Sequence, residues 1–114
     1  MSALSVRAWS RDEFLAGRDA WQALLSRTPA DALFMSWDWV SCWWAHHEAL
    51  LRAQLCVLGV YSQAGELQGL APFYRHECRH RGLFRVRRLE LLGNAWRHDT
   101  AIYSEYLDVL ADHG

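Results

Sequence analysis

LCVLGVYSQAGELQGLAPFYR, Leu55 to Arg75, is the stretch from which the fold is read. From Gln54 to Tyr61 apolar residues occupy both alternating faces, the pattern of a central strand covered on both sides. Gln63 to Gly65 supplies a turn and Glu66 to Tyr74 returns as a second strand, so the segment predicts an antiparallel hairpin. Pro72 has no N–H to give to a ladder, which predicts an edge position or a bulge in that second strand.

Upstream, Leu4 to Trp9 reads as a short strand and Ser10-Arg11-Asp12-Glu13 as a capping box, the Ser10 hydroxyl and Glu13 carboxylate serving free backbone amides. The helix that follows gathers Phe14, Trp21, Leu24 and Leu25 on one side and should end before Thr28-Pro29; Pro29 to Leu33 is a loop. Ser36 is placed to cap a second helix, with Asp38 in the first turn, where the positive end of the macrodipole favours a carboxylate.

On that helix Trp37, Val40, Trp44, His47 and Leu51 share one direction, and Trp39, Trp43, His46 and Leu50 a neighbouring one. So wide an apolar arc predicts two contacts: Trp37 and Trp44 against the sheet, and Trp39 and Trp43 against a second element or a ligand. Downstream, Arg75 to Arg88 reads as a hairpin turn with a solvated basic rim. Phe84 and Val86 differ in parity from Leu89 and Leu91, which predicts a bulge near Arg87. Tyr103 to Leu110 is the last strand, with Tyr106, Asp108 and Leu110 facing one way. The order strand, two helices, four strands is an α+β arrangement of helices on a mainly antiparallel sheet.

The 114 residues, 52% hydrophobic, fit one domain (residues 1–114) with an ample core. No stretch approaches the ~18 uncharged apolar residues of a membrane span, and the first residues lack the basic and apolar regions of a secretory signal, so the expectation is a cytoplasmic protein. Cys42, Cys56 and Cys78 form no CxxC pair, which argues against a disulfide framework or zinc ribbon. The net charge of -1 is uneven, since Arg75 to Arg88 holds six arginines against Glu77 alone. With a pI of 6.6 the chain lacks the basic balance of a dedicated nucleic-acid domain; an anionic substrate or an acidic neighbouring domain suits the basic rim better.

Trp21-x-x-Leu24, Phe34-x-Ser36-x-x-Trp39-x-x-x-Trp43-Trp44, the opening hairpin, RRLELLG and EYLDVL stand in an order that resembles the GNAT superfamily, in its branch of cellulose-biosynthesis-type acyltransferases related to the peptidoglycan-branching aminoacyltransferases. The resemblance implies a GNAT-like fold and acyl-CoA-dependent transfer to a small-molecule amine acceptor in polysaccharide or cell-envelope synthesis. It implies two GNAT-like halves, of which this chain matches the first. A truncated C-terminal end is therefore expected, with the missing half, or a self-association partner, as its companion. A non-catalytic GNAT-like interaction domain of a polysaccharide-assembly system is the alternative.

A GNAT enzyme holds the acyl-CoA pyrophosphate on a Gly-rich loop at a helix N-terminus. The nearest match, Arg79-His80-Arg81-Gly82-Leu83-Phe84, has Phe84 where a small residue is needed and leads into a strand, so the cofactor loop is expected outside this chain. His76-x-Cys78-x-His80 lacks the spacing of a common zinc site and reads as solvated surface. His46 and His47, adjacent on a helix, point too far apart to share an ion, and a histidine packed on tryptophan is expected. Asp108, mid-strand between apolar residues, is the candidate base, since burying a carboxylate there is costly without donors. By resemblance, Tyr106, Asp99, Trp39 and Trp43 would line the acceptor cleft.

Overall fold

The computed structural model describes residues 3–80, 84–96, 101–103 and 109–112. The elements are β1 (Ser5–Ala8), α1 (Arg11–Ala16), α2 (Arg18–Leu25), α3 (Trp37–Leu51), β2 (Gln54–Tyr61), β3 (Leu67–His80), β4 (Phe84–Leu91), β5 (Asn94–Trp96), β6 (Ala101–Tyr103) and β7 (Leu110–Ala111). The main sheet is antiparallel in the order β1-β2-β3-β4, with β7 also on β3, and β5 pairs with β6 in a separate hairpin. This is the expected α+β class.

The predicted first helix is two. Ser10 caps α1 as expected: its hydroxyl accepts from the Glu13 N–H at 3.1 Å and the Glu13 carboxylate accepts from the Ser10 N–H at 3.1 Å. Gly17 then breaks the path. A Cβ there would stand 2.6 Å from a ring carbon of Trp9 and 2.8 Å from the Glu13 carbonyl, so only glycine lets Trp9 pass beneath the bend. Gly59 makes room for the same indole, whose N–H donates to the Tyr61 hydroxyl at 2.6 Å.

Ser36 caps α3, accepting from the Trp39 N–H at 3.1 Å. The helix ends at Arg52 in the left-handed region, φ 49°. Arg11 reaches across to Glu48 with two hydrogen bonds, of 2.8 and 2.9 Å, and ties α1 to α3. That guanidinium holds the Glu48 carboxyl below its ordinary range.

One face of the sheet carries the core. Phe14, Trp21, Leu24, Val40, Trp43 and Trp44 from the helices form one buried cluster with Val57, Leu70 and Tyr74 from β2 and β3. The expected division of α3 is corrected here. Trp43 and Trp44 both lie in this core, whereas Trp37 is half-buried, donating its indole N–H to the Phe14 carbonyl at 2.9 Å. An arc as wide as that of α3 lets both neighbouring indoles reach the sheet.

β3 is longer than predicted and central, so Pro72 is neither at an edge nor in a bulge. Val57, its partner on β2, directs its carbonyl to the β1 side, at 2.8 Å from the nitrogen of Trp9, the residue after β1. Alternation then points the Pro72 ring nitrogen to the opposite side, where its neighbour changes from β7 to β4. Leu92 N–H still donates to the Pro72 carbonyl at 2.8 Å, but no return bond can form, and the β4 ladder stops. The β3–β4 register runs unshifted from Phe73↔Leu91 to His80↔Phe84, so the expected bulge near Arg87 is absent and Arg75 to Arg88 is mostly strand. Nor is Tyr103 to Leu110 one strand: Tyr103 closes β6, Leu110 opens β7, and residues 104–108 lie outside the described ones. Among the described residues no helix is long and apolar enough to cross a membrane.

Replacing Gly17 by alanine should force the Trp9 ring aside and destabilise the fold by about 1–3 kcal/mol. A urea midpoint unchanged in Gly17→Ala would refute the packing assigned to this bend.

Candidate functional site

The buried polar groups of the described chain converge where the C-terminal half of α3 crosses β3 and β4. Cross-strand pairing sets Tyr74 opposite Glu90 and His76 opposite Arg88, so alternation brings Tyr74, His76 and Glu90 to the helix-covered face. The Tyr74 hydroxyl donates to Glu90 Oε2 at 2.9 Å. His76 Nε2 lies 2.8 Å from the same oxygen. One carboxylate oxygen thus collects a phenol and an imidazole from adjacent positions along one strand.

α3 closes this cluster from above. Trp43 and His47, one turn apart, stack with ring centroids 4.3 Å apart and planes inclined by 18°. The His47 Nδ1–H donates to the Trp43 carbonyl at 2.8 Å, which fixes the imidazole against the indole. Trp43 and Trp44 each meet the Tyr74 ring, at 5.6 and 5.9 Å, and the Tyr74 ring meets that of His76 at 5.6 Å.

Burial makes this arrangement costly to disrupt. Tyr74 is fully buried and His76 is 5% exposed, while the Glu90 side chain keeps 14% exposure. Burial, then the hydrogen bond to Glu90, raise the Tyr74 phenol well above its ordinary pKa, so it stays a donor across the physiological range. Among the described residues, buried nitrogens without a hydrogen-bond partner include Trp43 Nε1 and His76 Nδ1. Chemically the set is a carboxylate oxygen gripped by a phenol and an imidazole, and Glu90 is its edge toward solvent.

The residues predicted from sequence are not brought together here. Trp39 is 37% exposed and packs edge-on against Phe34 at 5.0 Å, away from Trp43. Trp43 serves the core instead of a cleft wall. Asp99, Tyr106 and Asp108 lie outside the described residues. His76 is corrected from solvated surface to a buried partner of Glu90; the side chains of Cys78 and His80 lie outside the described residues. Among the described residues no three His, Cys, Asp or Glu side chains gather as metal ligands. His47 does pack on tryptophan, as the sequence predicts.

Within the Arg79 to Phe84 motif, His80 pairs with Phe84, and β4 begins at Phe84. A strand and not a helix therefore follows this segment, and residues 81–83 lie outside the described residues. Glu90 and Tyr74 escaped notice in the sequence because their contact depends on the β3–β4 register, which the presumed bulge would have shifted by one residue.

Comparisons of the chain with protein families, with curated proteins and with solved structures find no match.

Glu90→Ala should leave the Tyr74 hydroxyl and His76 buried without their acceptor and cost about 3 kcal/mol, against about 1 kcal/mol for Tyr74→Phe. Equal losses in chemical denaturation would argue against a shared carboxylate. A phenol pKa raised in the folded state gives stability that is complete below about pH 10 and falls as pH rises beyond it. The alkaline decline in urea midpoint should therefore shrink in Tyr74→Phe; an identical decline would contradict the burial argument.

Proposed function

We propose that this chain is the acceptor-side part of a GNAT-type N-acyltransferase, related to the cellulose-biosynthesis and peptidoglycan-branching enzymes, acting on an amine of a polysaccharide or cell-envelope precursor. The supporting observation is where the motifs of the resemblance fall. Trp21 and Leu24 lie in the core on α2, Ser36 caps α3, Trp43 and Trp44 seal it to the sheet, and the quoted hairpin is β2–β3. RRLELLG supplies β4 and the glycine after it, Gly93, which has φ 101°. The motifs thus fall on helices and strands in the order that the resemblance expects.

In this reading Asp108 orients the attacking amine and takes its proton, and Tyr106, Asp99 and the half-exposed Trp39 are the further acceptor residues that the resemblance names. On the same reading the acyl-CoA groove belongs to the second GNAT-like half or to a partner chain, because a strand, β4, and not a helix follows the nearest motif.

Calorimetry of residues 1–114 with acetyl-CoA should give no saturable heat, whereas an amino sugar should quench tryptophan fluorescence saturably. Asp108→Asn should weaken that binding about tenfold, the loss of one charge-assisted hydrogen bond. Saturable acetyl-CoA binding would overturn the placement of the cofactor groove; amino-sugar affinity indifferent to Asp108→Asn would overturn the acceptor site.

A further inference from the structure

The sequence of β2 is that of a strand covered on both faces, yet among the described residues the helices cover one. Alternation from Val57 and Leu70 places Val6, Leu58, Val60, Phe73, Leu89 and Leu91 on the opposite face. None of the six belongs to the core cluster. Val6 is 63% and Leu89 56% exposed, and the others are half-buried by their own neighbours in the sheet. An apolar plate that spans four strands exceeds the scattered exposed residues normal for a monomer.

The plate does not end in neutral surface. Beyond Arg75, β3 loses its β2 neighbour and continues with β4 as a two-stranded ribbon. On the same side as the plate, the described side chains of this ribbon include exposed Arg75, Arg85 and Arg87 against Glu77, three positive charges and one negative, a formal +2. Glu77 meets Arg87 only at 3.9 Å with both exposed, which neutralises little. Hydrophobic cover and anionic charge are therefore both wanted, side by side on one surface.

From this we infer that the uncovered sheet face is a docking surface for an amphipathic helical segment of another protein or domain, whose apolar stripe lies on Val6, Leu58, Val60 and Phe73 and whose acidic end meets Arg75, Arg85 and Arg87. Helix on sheet is the layer pairing the other face already uses. A second copy of this chain is a poorer occupant. Its own plate is equally apolar, but among the described strand residues its only acid on that face is Glu77, so stacked copies would bury arginines without partners. The inference stands on the sheet face and does not depend on the acyltransferase reading.

Two fluorescein-labelled helical peptides of about five turns test it. Each has leucines at i, i+3, i+4 and i+7; one ends in glutamates and the other in lysines. By anisotropy the glutamate peptide should bind saturably and about tenfold more tightly than the lysine peptide. The exposed double variant Arg85→Glu/Arg87→Glu should reverse that preference without unfolding the chain, and Leu58→Asp, checked by circular dichroism, should abolish binding. Equal affinities, or no binding, would overturn the proposal. So would a dimer in sedimentation velocity that Leu58→Asp dissociates, or displacement of the glutamate peptide by phosphatidylserine vesicles or by single-stranded DNA.

Discussion

Burying indoles between three helices and one sheet face is the constraint on which this chain depends. Trp21 and Trp44 are essentially inaccessible, Trp43 nearly so, and Trp9 runs under the α1–α2 bend. At about 25 cal/mol per Å2 and roughly 200 Å2 per ring, each such indole contributes on the order of 5 kcal/mol as an upper bound. Side chains this large leave little freedom elsewhere. Gly17 and Gly59 are glycine because Trp9 occupies the space of a Cβ at both. The Trp21 N–H must reach the Met35 carbonyl, at 2.8 Å, and the loop before α3 is held to the helices in consequence.

That packing explains which parts of the fold can be read from the residues alone. Caps and turns are local: Ser10 with Glu13, Ser36 with the Trp39 amide, and Gly65 at φ 86° are fixed by chemistry within a few residues. β2 begins and ends where its apolar run does. Register is not local. Pro72 looks like an edge residue until the ladder shows that its missing N–H points to the gap between β7 and β4. The parity change in β4 looks like a bulge because Phe84 and Val86 are apolar, but Val86 is 38% exposed on a ribbon beyond the helices. Apolar pattern marks a face only where something covers it.

The same limit applies to the polar cluster. A histidine four residues from another in an arginine-rich segment reads as surface, and Glu90 between leucines reads as an outward strand position. Only the pairing of Tyr74 with Glu90 makes the carboxylate an interior acceptor for two donors. Trp39 and Trp43 stand one turn apart, yet the first reaches Phe34 and the second the sheet, since the edge of the covered sector of α3 falls between them.

The place of the cluster also has a physical reason. β3 and β4 run on as a ribbon after β2 ends, and an isolated two-stranded hairpin is marginal in water. Tyr74, His76 and Glu90 sit at the last positions that α3 still covers, where a carboxylate shared by two donors links β3 to β4 in low dielectric. Buried hydrogen bonds there hold the root of the ribbon in one register, so its solvated arm can carry arginines on both strands without their repulsion opening the ladder. The polar interior of one face and the basic margin of the other are thus two sides of one hairpin, and the first makes the second tolerable.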